Sequence, residues 1–203
     1  MVPHWPSAPP DWLTYEHWAP LAIVDYGPKP FYVNAVHQLC LLTANMAIRK
    51  QTLQRIGGFL PDLQRVENSI GSMEDHELLL RVWNVQAQGL YVPELVVSSR
   101  IASDRLTKRY HRRWRFGHGG FYALARIEQF ERSRSGFFLG VPHHLCRAAS
   151  LDAVGWLAHA VRGDLNRAFT FETRLRFFAG FLKTRSRDWF LRRDHGHRPF
   201  HAA

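Results

Sequence analysis

The stretch Gly71-Ser72-Met73-Glu74-Asp75-His76-Glu77-Leu78-Leu79-Leu80-Arg81 decides how the first half of the chain is interpreted. Ser72 followed three residues later by Asp75 is a capping-box pattern, which marks the start of a helix. Apolar residues then repeat at helical spacing, at Leu78, Leu79, Val82 and Val85. The stretch therefore predicts a loop that turns into an amphipathic helix, with Glu74 and Asp75 in its first turn near the positive end of the helix dipole.

The flanking residues extend this prediction. Gly89 predicts the end of the helix, Leu90–Val97 predicts a buried strand, and residues 62–71 predict a polar loop before the helix. A junction between a loop and a helix packed on a strand is a common place for a catalytic base. Acidic residues in a first turn are more often caps, however. These eleven residues alone favour capping and leave a catalytic role open.

The composition predicts a folded protein with an anionic partner. Of 203 residues, 46% are hydrophobic, and the net charge is +10 with a pI of about 10.3. Such a charge indicates nucleic acid, anionic lipid or a phosphorylated substrate. Cys40 and Cys146 have no metal or redox spacing, so we expect a reducing compartment. Because no secretory signal and no uncharged apolar run of about 18 residues occurs, we expect a protein that is soluble or lies on a membrane surface.

Prolines and tryptophans alternate through residues 1–20. Prolines this dense exclude a helix or a central strand, and the tryptophans predict that the segment packs on another part of the fold. Leu39–Ile48 predicts a strand or a buried loop. Lys50–Ile56 predicts a short helix closed by Gly57 and Gly58.

The stretch Arg105–Arg115 contains six cations and no acidic residue. On a helix, one face would carry Arg105, Arg109 and Arg112, and the opposite face Leu106, Tyr110 and Trp114. Three glycines then predict that this helix is interrupted or ends, at Gly117, Gly119 and Gly120. Residues 121–131 are expected to be helical again.

Residues 137–182 are expected to be helical and amphipathic, with arginines between the apolar faces. A basic amphipathic region is typical of proteins on an anionic membrane, and an ordinary helical subdomain with a solvated basic face explains it equally well. Histidines in the tail suit a metal, but a disordered polar end is favoured for His195, His197 and His201. The predicted organisation is a first domain over residues 1–104, a basic helical region over 105–190, and a disordered tail over 191–203.

Four short motifs follow one another in the first domain: Thr43-Ala44-Asn45-Met46-Ala47-Ile48-Arg49-Lys50, then Ile56-Gly57-Gly58-Phe59, then Glu74-Asp75 with Leu78-Leu79-Leu80-Arg81, then Tyr91-Val92-Pro93. Their order and spacing resemble family 2 glycosyltransferases. In that family an "AN-x-A-x-R" segment and a "GGF" precede an "ED-x-x-L-x-x-R" helix and a "Y-x-P" strand. Each motif alone is weak, whereas four in order are a specific signal.

The resemblance implies an α/β fold: a partial GT-A (nucleotide-diphospho-sugar transferase-like) domain followed by an amphipathic helical C-terminal region. It covers only the acceptor-side half and the C-terminal helices. The donor half of the family holds a metal through an Asp-x-Asp motif, and no Asp-x-Asp and no βαβ pattern before residue 39 occur here. Many members also place a metal-binding His beyond the "Y-x-P" strand, where this chain has Val97-Ser98-Ser99-Arg100. We therefore expect Mg²⁺ or Mn²⁺ in a full-length enzyme and no metal on this chain alone.

The resemblance also assigns roles to residues. Asp75 is the candidate base that takes the proton of the acceptor hydroxyl, with Glu74 beside it. Asn45 is a candidate acceptor-binding residue, and a buried Asn that satisfies backbone groups is an equal alternative. Arg113 and Trp114 resemble an Arg-Trp pair that polymerising members use near the diphosphate and the acceptor. A basic helix facing water or lipid head groups explains that pair as well.

The predicted function is that of a glycosyltransferase fragment. It would transfer a sugar from a nucleotide-sugar donor to an acceptor hydroxyl in bacterial cell-surface polysaccharide biosynthesis, and would be inactive without the donor half. Expected partners are a nucleotide sugar, a glycan or lipid-linked acceptor and an anionic membrane surface, with a cytoplasmic location that includes the inner face of the cell membrane. The alternative is a non-enzymatic protein, derived from a glycosyltransferase, that binds a membrane surface or a partner. Nucleic acid is not an expected partner, because no recognised nucleic-acid motif occurs.

Overall fold

The computed structural model describes residues 1–39, 42–60, 74–126, 131 and 136–194, with side chains through residue 191. The fold is mixed α/β, with helices predominating over small two-stranded sheets. Contacts along the chain divide it into two units, unit 1 over Met1–Trp114 and unit 2 over Arg115–Ala203. The domain limits drawn from the sequence at 104/105 and 190/191 stay predictions. In the described residues, no helix is both long and apolar enough to cross a membrane.

Unit 1 contains four strands and two complete helices among its described residues. They are β1 (Val2–His4), β2 (Phe31–Val33), α1 (Lys50–Ile56), α2 (Glu74–Asn84), β3 (Gly89–Tyr91) and β4 (Ser98–Arg100). Strands β1 and β4 pair in parallel, and β2 and β3 pair antiparallel. Unit 1 also contains four 3₁₀ turns among its described residues, at Tyr15–His17, Ala19–Leu21, Thr43–Asn45 and, after β4, Ser103–Leu106.

The N-terminal tryptophans pack on a first core of unit 1. This core contains Leu13, Leu21, Ile23 and Ile101, with Trp5, Trp12 and Trp18 against it. The packing agrees with the expectation that this segment covers another part of the fold. Its one strand, β1, pairs only with β4, so Pro3 lies in an edge strand where a missing N–H is tolerated.

Helix α2 organises the second core, as its apolar spacing predicts. Leu79, Val82 and Trp83 are buried against Val33 of β2. The prediction that Gly89 ends this helix was wrong. Helix α2 ends at Asn84, and Gly89 is the first residue of β3, where a Cβ would lie 2.8 Å from Val33 Cγ2. Gly89 is thus a site of close packing between β3 and its partner strand.

Helix α1 has the limits that the sequence predicts, and Gly57 follows it with φ of 83°. The strand prediction for Leu90–Val97 was wrong for most of its length. Strand β3 stops at Tyr91 because Pro93 lies in the turn that follows, and pairing resumes only in β4. Of Leu39–Ile48, the described part forms the 3₁₀ turn at Thr43–Asn45 and extended backbone rather than a strand. The capping residue Ser72, the loop 62–71 and Cys40 lie outside the described residues.

Helix α3 (Lys108–Ala125) begins in unit 1 and ends in unit 2, and it corrects the prediction that glycines interrupt it. The helix runs on through Gly117, Gly119 and Gly120. A Cβ added at Gly119 would meet the carbonyl oxygen of Phe177 and lie 2.8 Å from its carbonyl carbon. The glycines therefore allow two helix backbones to touch in unit 2, a tertiary requirement that outweighs their low helix propensity.

Unit 2 contains a two-residue hairpin and two long helices after α3. They are β5 (Phe137–Phe138), β6 (Val141–Pro142), α4 (His143–Val161) and α5 (Leu165–Asp194). The expectation that the helical region starts at residue 137 was wrong, because the chain turns back at Leu139 and Gly140, both with positive φ. Ala123, Val141 and Phe181 form the core of this unit. Helix α5 continues through residues 191–194, where the sequence predicted the start of a disordered tail, and the tail histidines lie outside the described residues.

Candidate functional site

Unit 1 contains a cleft of about 1060 Å³. Its walls come from the turn at residues 24–28, the segment 45–49, the second half of α2 and the segment 89–96. Three tyrosines line it, Tyr26, Tyr32 and Tyr91, together with polar groups such as Asn45 and Gln88. An apolar and aromatic cleft with a few polar groups is the usual form of a small-molecule site.

Tyr91 fixes one wall of this cleft. Its hydroxyl donates a hydrogen bond to the carbonyl of Gly27 (3.2 Å) and accepts one from the backbone N–H of Tyr26 (3.4 Å). Its ring packs edge-on to the ring of Tyr26, with centroids 5.6 Å apart, and against Phe31 at 5.0 Å. The loop is also closed by a hydrogen bond from Gly27 N–H to Asp25 Oδ1 (2.8 Å). Tyr91 therefore joins the "Y-x-P" segment to the 24–28 turn, while Tyr32 presents a largely exposed ring at the cleft.

Asn45 ties the opposite wall together. Its Nδ2 donates a hydrogen bond to the carbonyl of Leu95 (2.7 Å), and the residue is exposed rather than buried. The alternative interpretation, a buried Asn bonded to the backbone, is therefore wrong about the burial of Asn45 and right about its bond to a backbone carbonyl. The described hydrogen bond uses Nδ2, which leaves the amide oxygen of Asn45 as an acceptor for a ligand in the cleft.

Arg81 joins α2 to the end of α1. Its Nη atoms donate to three carbonyls, those of Ile56 (2.6 Å), Gly57 (3.2 Å) and Gly58 (2.8 Å). The same guanidinium forms a two-bond ion pair with Glu77, through Nε and Nη2, at 2.7 Å each. Arg suits this position because its planar fork presents several donors in fixed directions. The sequence analysis assigned Arg81 no role, although a Glu four residues before an Arg and a Gly-Gly that ends a helix signal such a contact.

The two candidate catalytic acids lie in the first turn of α2 but do not line the cleft. Glu74 Oε2 and Asp75 Oδ1 are buried, and neither has a hydrogen-bond partner among the residues that the structure describes. A buried polar atom without a partner is costly, which is typical of a site that awaits a ligand or water. Next to them, burial lowers the pKa of His76 below its ordinary value, so this imidazole is held in its neutral form.

The remaining predicted residues lie on α3. Arg113 is exposed and Trp114 is half-buried, and neither lines the cleft. Of the five residues proposed from the sequence, Asn45 alone is in the described cleft wall. The roles assigned to all five residues, including Asn45, stay predictions.

A protein metal site needs several His, Cys, Asp or Glu side chains close together. Across the residues that the structure describes, no group of three or more His, Cys, Asp or Glu side chains is arranged to hold a metal ion. Val97 precedes β4, which contains Ser98–Arg100. The described residues therefore contain no ligand set that fits the Mg²⁺ or Mn²⁺ implied by the resemblance.

Unit 2 has a smaller cavity of about 320 Å³ between α3, α4 and α5. Phe177, Phe178 and Phe181 line it together with Arg115, Arg174 and Asp152. Burial raises the pKa of Asp152, and the nearby Arg174, at 3.5 Å, opposes that rise. Comparison with known proteins adds no assignment for either unit: no family model, curated protein or solved structure matches the chain.

Proposed function

We propose that unit 1 is the acceptor-side half of a GT-A glycosyltransferase domain of the family 2 type. One observation carries this proposal: residues of three of the four motifs line one cleft, and Arg81 of the helix motif binds the "GGF" motif. The segment 45–49, helix α2 and the segment 91–93 line one cleft. The "GGF" carbonyls are bound by Arg81 of α2.

The chemistry of the cleft suits a sugar. Tyrosine rings offer flat apolar faces for the C–H groups of a pyranose, and amide groups hydrogen-bond to hydroxyls. Tyr32 and Asn45, which both line the cleft, supply these two kinds of group. The cleft is large enough, at about 1060 Å³, for more than one sugar ring.

In this proposal Asp75 is the base and Glu74 its neighbour. An acceptor hydroxyl attacks the anomeric carbon of the donor sugar, its proton passes to a carboxylate, and the nucleoside diphosphate departs. Asp75 is on the same helix as the cleft wall: Leu79, which lines the cleft, follows it by one turn, about 6 Å along the axis. The positive charge that stabilises the leaving diphosphate would come from the donor half and from Arg113, and Trp114 would contact the acceptor.

A glycan-binding experiment tests this proposal on the chain itself. We expect the purified protein to bind a subset of oligosaccharides on a glycan microarray and to transfer no sugar from nucleotide-sugar donors with Mg²⁺ or Mn²⁺. Tyr32→Ala should weaken glycan binding about five- to tenfold, because it removes one stacking face. Tyr15→Ala is the matched control, since Tyr15 is 64% exposed against 67% for Tyr32 and lies outside the cleft.

Two outcomes would count against the proposal. One is the absence of glycan binding at millimolar sugar by a folded protein. The other is an equal loss in both tyrosine variants. Either would favour the alternative, a non-enzymatic protein that binds a membrane surface or a partner.

A further inference from the structure

Helix α4 exposes an apolar stripe. Four large apolar side chains share one face of the helix and are 57–79% exposed: Leu151, Val154, Leu157 and Val161. Leu165, the first residue of α5, follows the connecting turn in the sequence and is also 64% exposed. The four positions on α4 extend over about 15 Å of helix axis. We call these five residues the α4 stripe.

The opposite side of α4 is apolar as well. Ala149 is buried, and Leu145 packs on the core of unit 2. A helix that is apolar on most of its circumference is normally covered on all sides. Contiguous exposed apolar surface of this kind marks an interaction site rather than an ordinary solvated face. Among the residues that the structure describes, nothing therefore covers the α4 stripe.

The charges around the α4 stripe indicate what that cover is. Unit 2 contains 15 Lys and Arg residues against seven Asp and Glu. Exposed arginines bound the stripe at both ends: Arg147 lies one turn before Leu151, and Arg162 and Arg167 flank the turn that joins α4 to α5. Arginines at the edge of an apolar face extend their guanidinium groups toward phosphate while the apolar residues enter the acyl region.

The two acidic residues near the α4 stripe have partners of their own. Asp152 is on another side of α4, where it pairs with Arg174. Asp164, in the turn, accepts a backbone hydrogen bond from Arg167 N–H (3.1 Å) and contacts His159 Nδ1 (3.2 Å). The first of these contacts contributes most to lowering the pKa of Asp164.

We propose that the α4 stripe and its flanking arginines form a docking surface for an anionic lipid membrane. The helix lies in the interface, with Leu151, Val154, Leu157 and Val161 among the acyl chains and the arginines at the lipid phosphates. This proposal concerns unit 2 alone and does not rest on the glycosyltransferase proposal for unit 1.

Vesicle co-sedimentation of the full chain tests this surface. The probes are vesicles of phosphatidylcholine with 30% phosphatidylglycerol, and vesicles of phosphatidylcholine alone. We expect binding to the anionic vesicles that weakens as salt rises, and much weaker binding to the neutral ones. The double variant Val154→Ser/Leu157→Ser should bind at least about tenfold more weakly. Its matched control is Val36→Ser/Leu124→Ser, which changes one Val and one Leu of similar exposure elsewhere and should bind as wild type.

A second pair of variants separates local from overall charge. Arg162→Gln/Arg167→Gln and Arg55→Gln/Arg100→Gln lower the net charge equally, and all four residues are exposed. We expect the first pair to weaken binding by about fivefold per arginine, and the second pair to change it little. Circular dichroism verifies that each variant is folded.

The remaining outcomes overturn the proposal. Absence of vesicle binding, equal binding to neutral vesicles, or equal losses in test and control variants would each exclude this docking surface. So would concentration-dependent dimerisation in solution that Val154→Ser/Leu157→Ser abolishes, because the cover would then be a second copy of the chain.

Discussion

Replacing Arg81 should loosen the contact between α1 and α2 more than the loss of an ordinary surface ion pair. In Arg81→Met, three carbonyls lose their shared donor and Glu77 loses its partner. Each hydrogen bond to a charged group contributes about 1 kcal/mol or more when partly buried, and an exposed helical ion pair about 0.5 kcal/mol or less. The Arg81 and Glu77 side chains are 23% and 14% exposed, so solvent screens the contact only in part. We therefore expect a loss of about 2–4 kcal/mol in the free energy of unfolding of unit 1.

The chain provides a matched control. Arg176 and Glu172 form an ion pair with the same spacing, but at 3.4 Å and with the Arg side chain 51% exposed. Arg176→Met should therefore cost about 0.5 kcal/mol or less. Arg81→Lys should give an intermediate loss of about 1–2 kcal/mol, because an ammonium keeps the charge but not the fork.

Urea unfolding followed by tryptophan fluorescence measures these losses, since Trp83 is buried in the same core. Hydrogen exchange of the peptide covering residues 50–58 gives a local measure, and we expect it to accelerate in Arg81→Met and not in Arg176→Met. The reasoning is refuted if both Met variants lose the same amount, or if exchange over 50–58 is unchanged.

Three further predictions follow from the structure. Gly180→Ala should destabilise unit 2 by about 1–3 kcal/mol in thermal unfolding, because the new Cβ would lie 2.8 Å from the carbonyl carbon of Phe116. Gly58→Ala is the control: its new Cβ would have no atom within 4 Å, so stability should change by about 0.5 kcal/mol or less. Because burial lowers the pKa of His76 from 6.5, its contribution to stability is complete above pH 6.5 and decreases as pH falls below that value. The free energy of unfolding should therefore differ less between pH 5.5 and pH 7.5 in His76→Gln than in the wild type. Asp75→Asn should cost less than about 0.5 kcal/mol, and a loss of about 1 kcal/mol or more would favour the capping interpretation.

Local signals were sufficient for the helices of unit 1. The apolar spacing of α2 and the Gly-Gly after α1 depend only on nearby residues. Helix α1 has its predicted limits, and α2 forms at the predicted place but ends at Asn84, before the predicted end at Gly89. The strands could not be predicted in the same way. β1 finds its partner in β4 at the far end of unit 1, and nothing in either three-residue segment specifies the other.

The errors in unit 2 have the same origin. Gly119 and Gly120 are poor helix formers by propensity, yet they lie inside α3 because another backbone approaches there. A reading of one segment at a time does not reveal that approach.

The candidate site was predictable to a similar degree. The motif order indicated Asn45, which lines the cleft, but the sequence did not indicate that Tyr26 and Tyr32 would come from a turn and a strand far from the motifs. It also assigned Asp75 as the base, and Asp75 is not among the residues that line the described cleft.

Protein-observed NMR of the indole N–H groups during titration with glycans tests the central claim most directly. Trp83 lines the cleft of unit 1, whereas Trp156 lies on α4. Titration with hexose and N-acetylhexosamine oligosaccharides should shift the Trp83 signal in a saturable manner and leave Trp156 unchanged, and Tyr32→Ala should weaken that response. An unmoved Trp83 signal at saturating sugar, or a response confined to unit 2, would contradict the assignment of this cleft to an acceptor glycan.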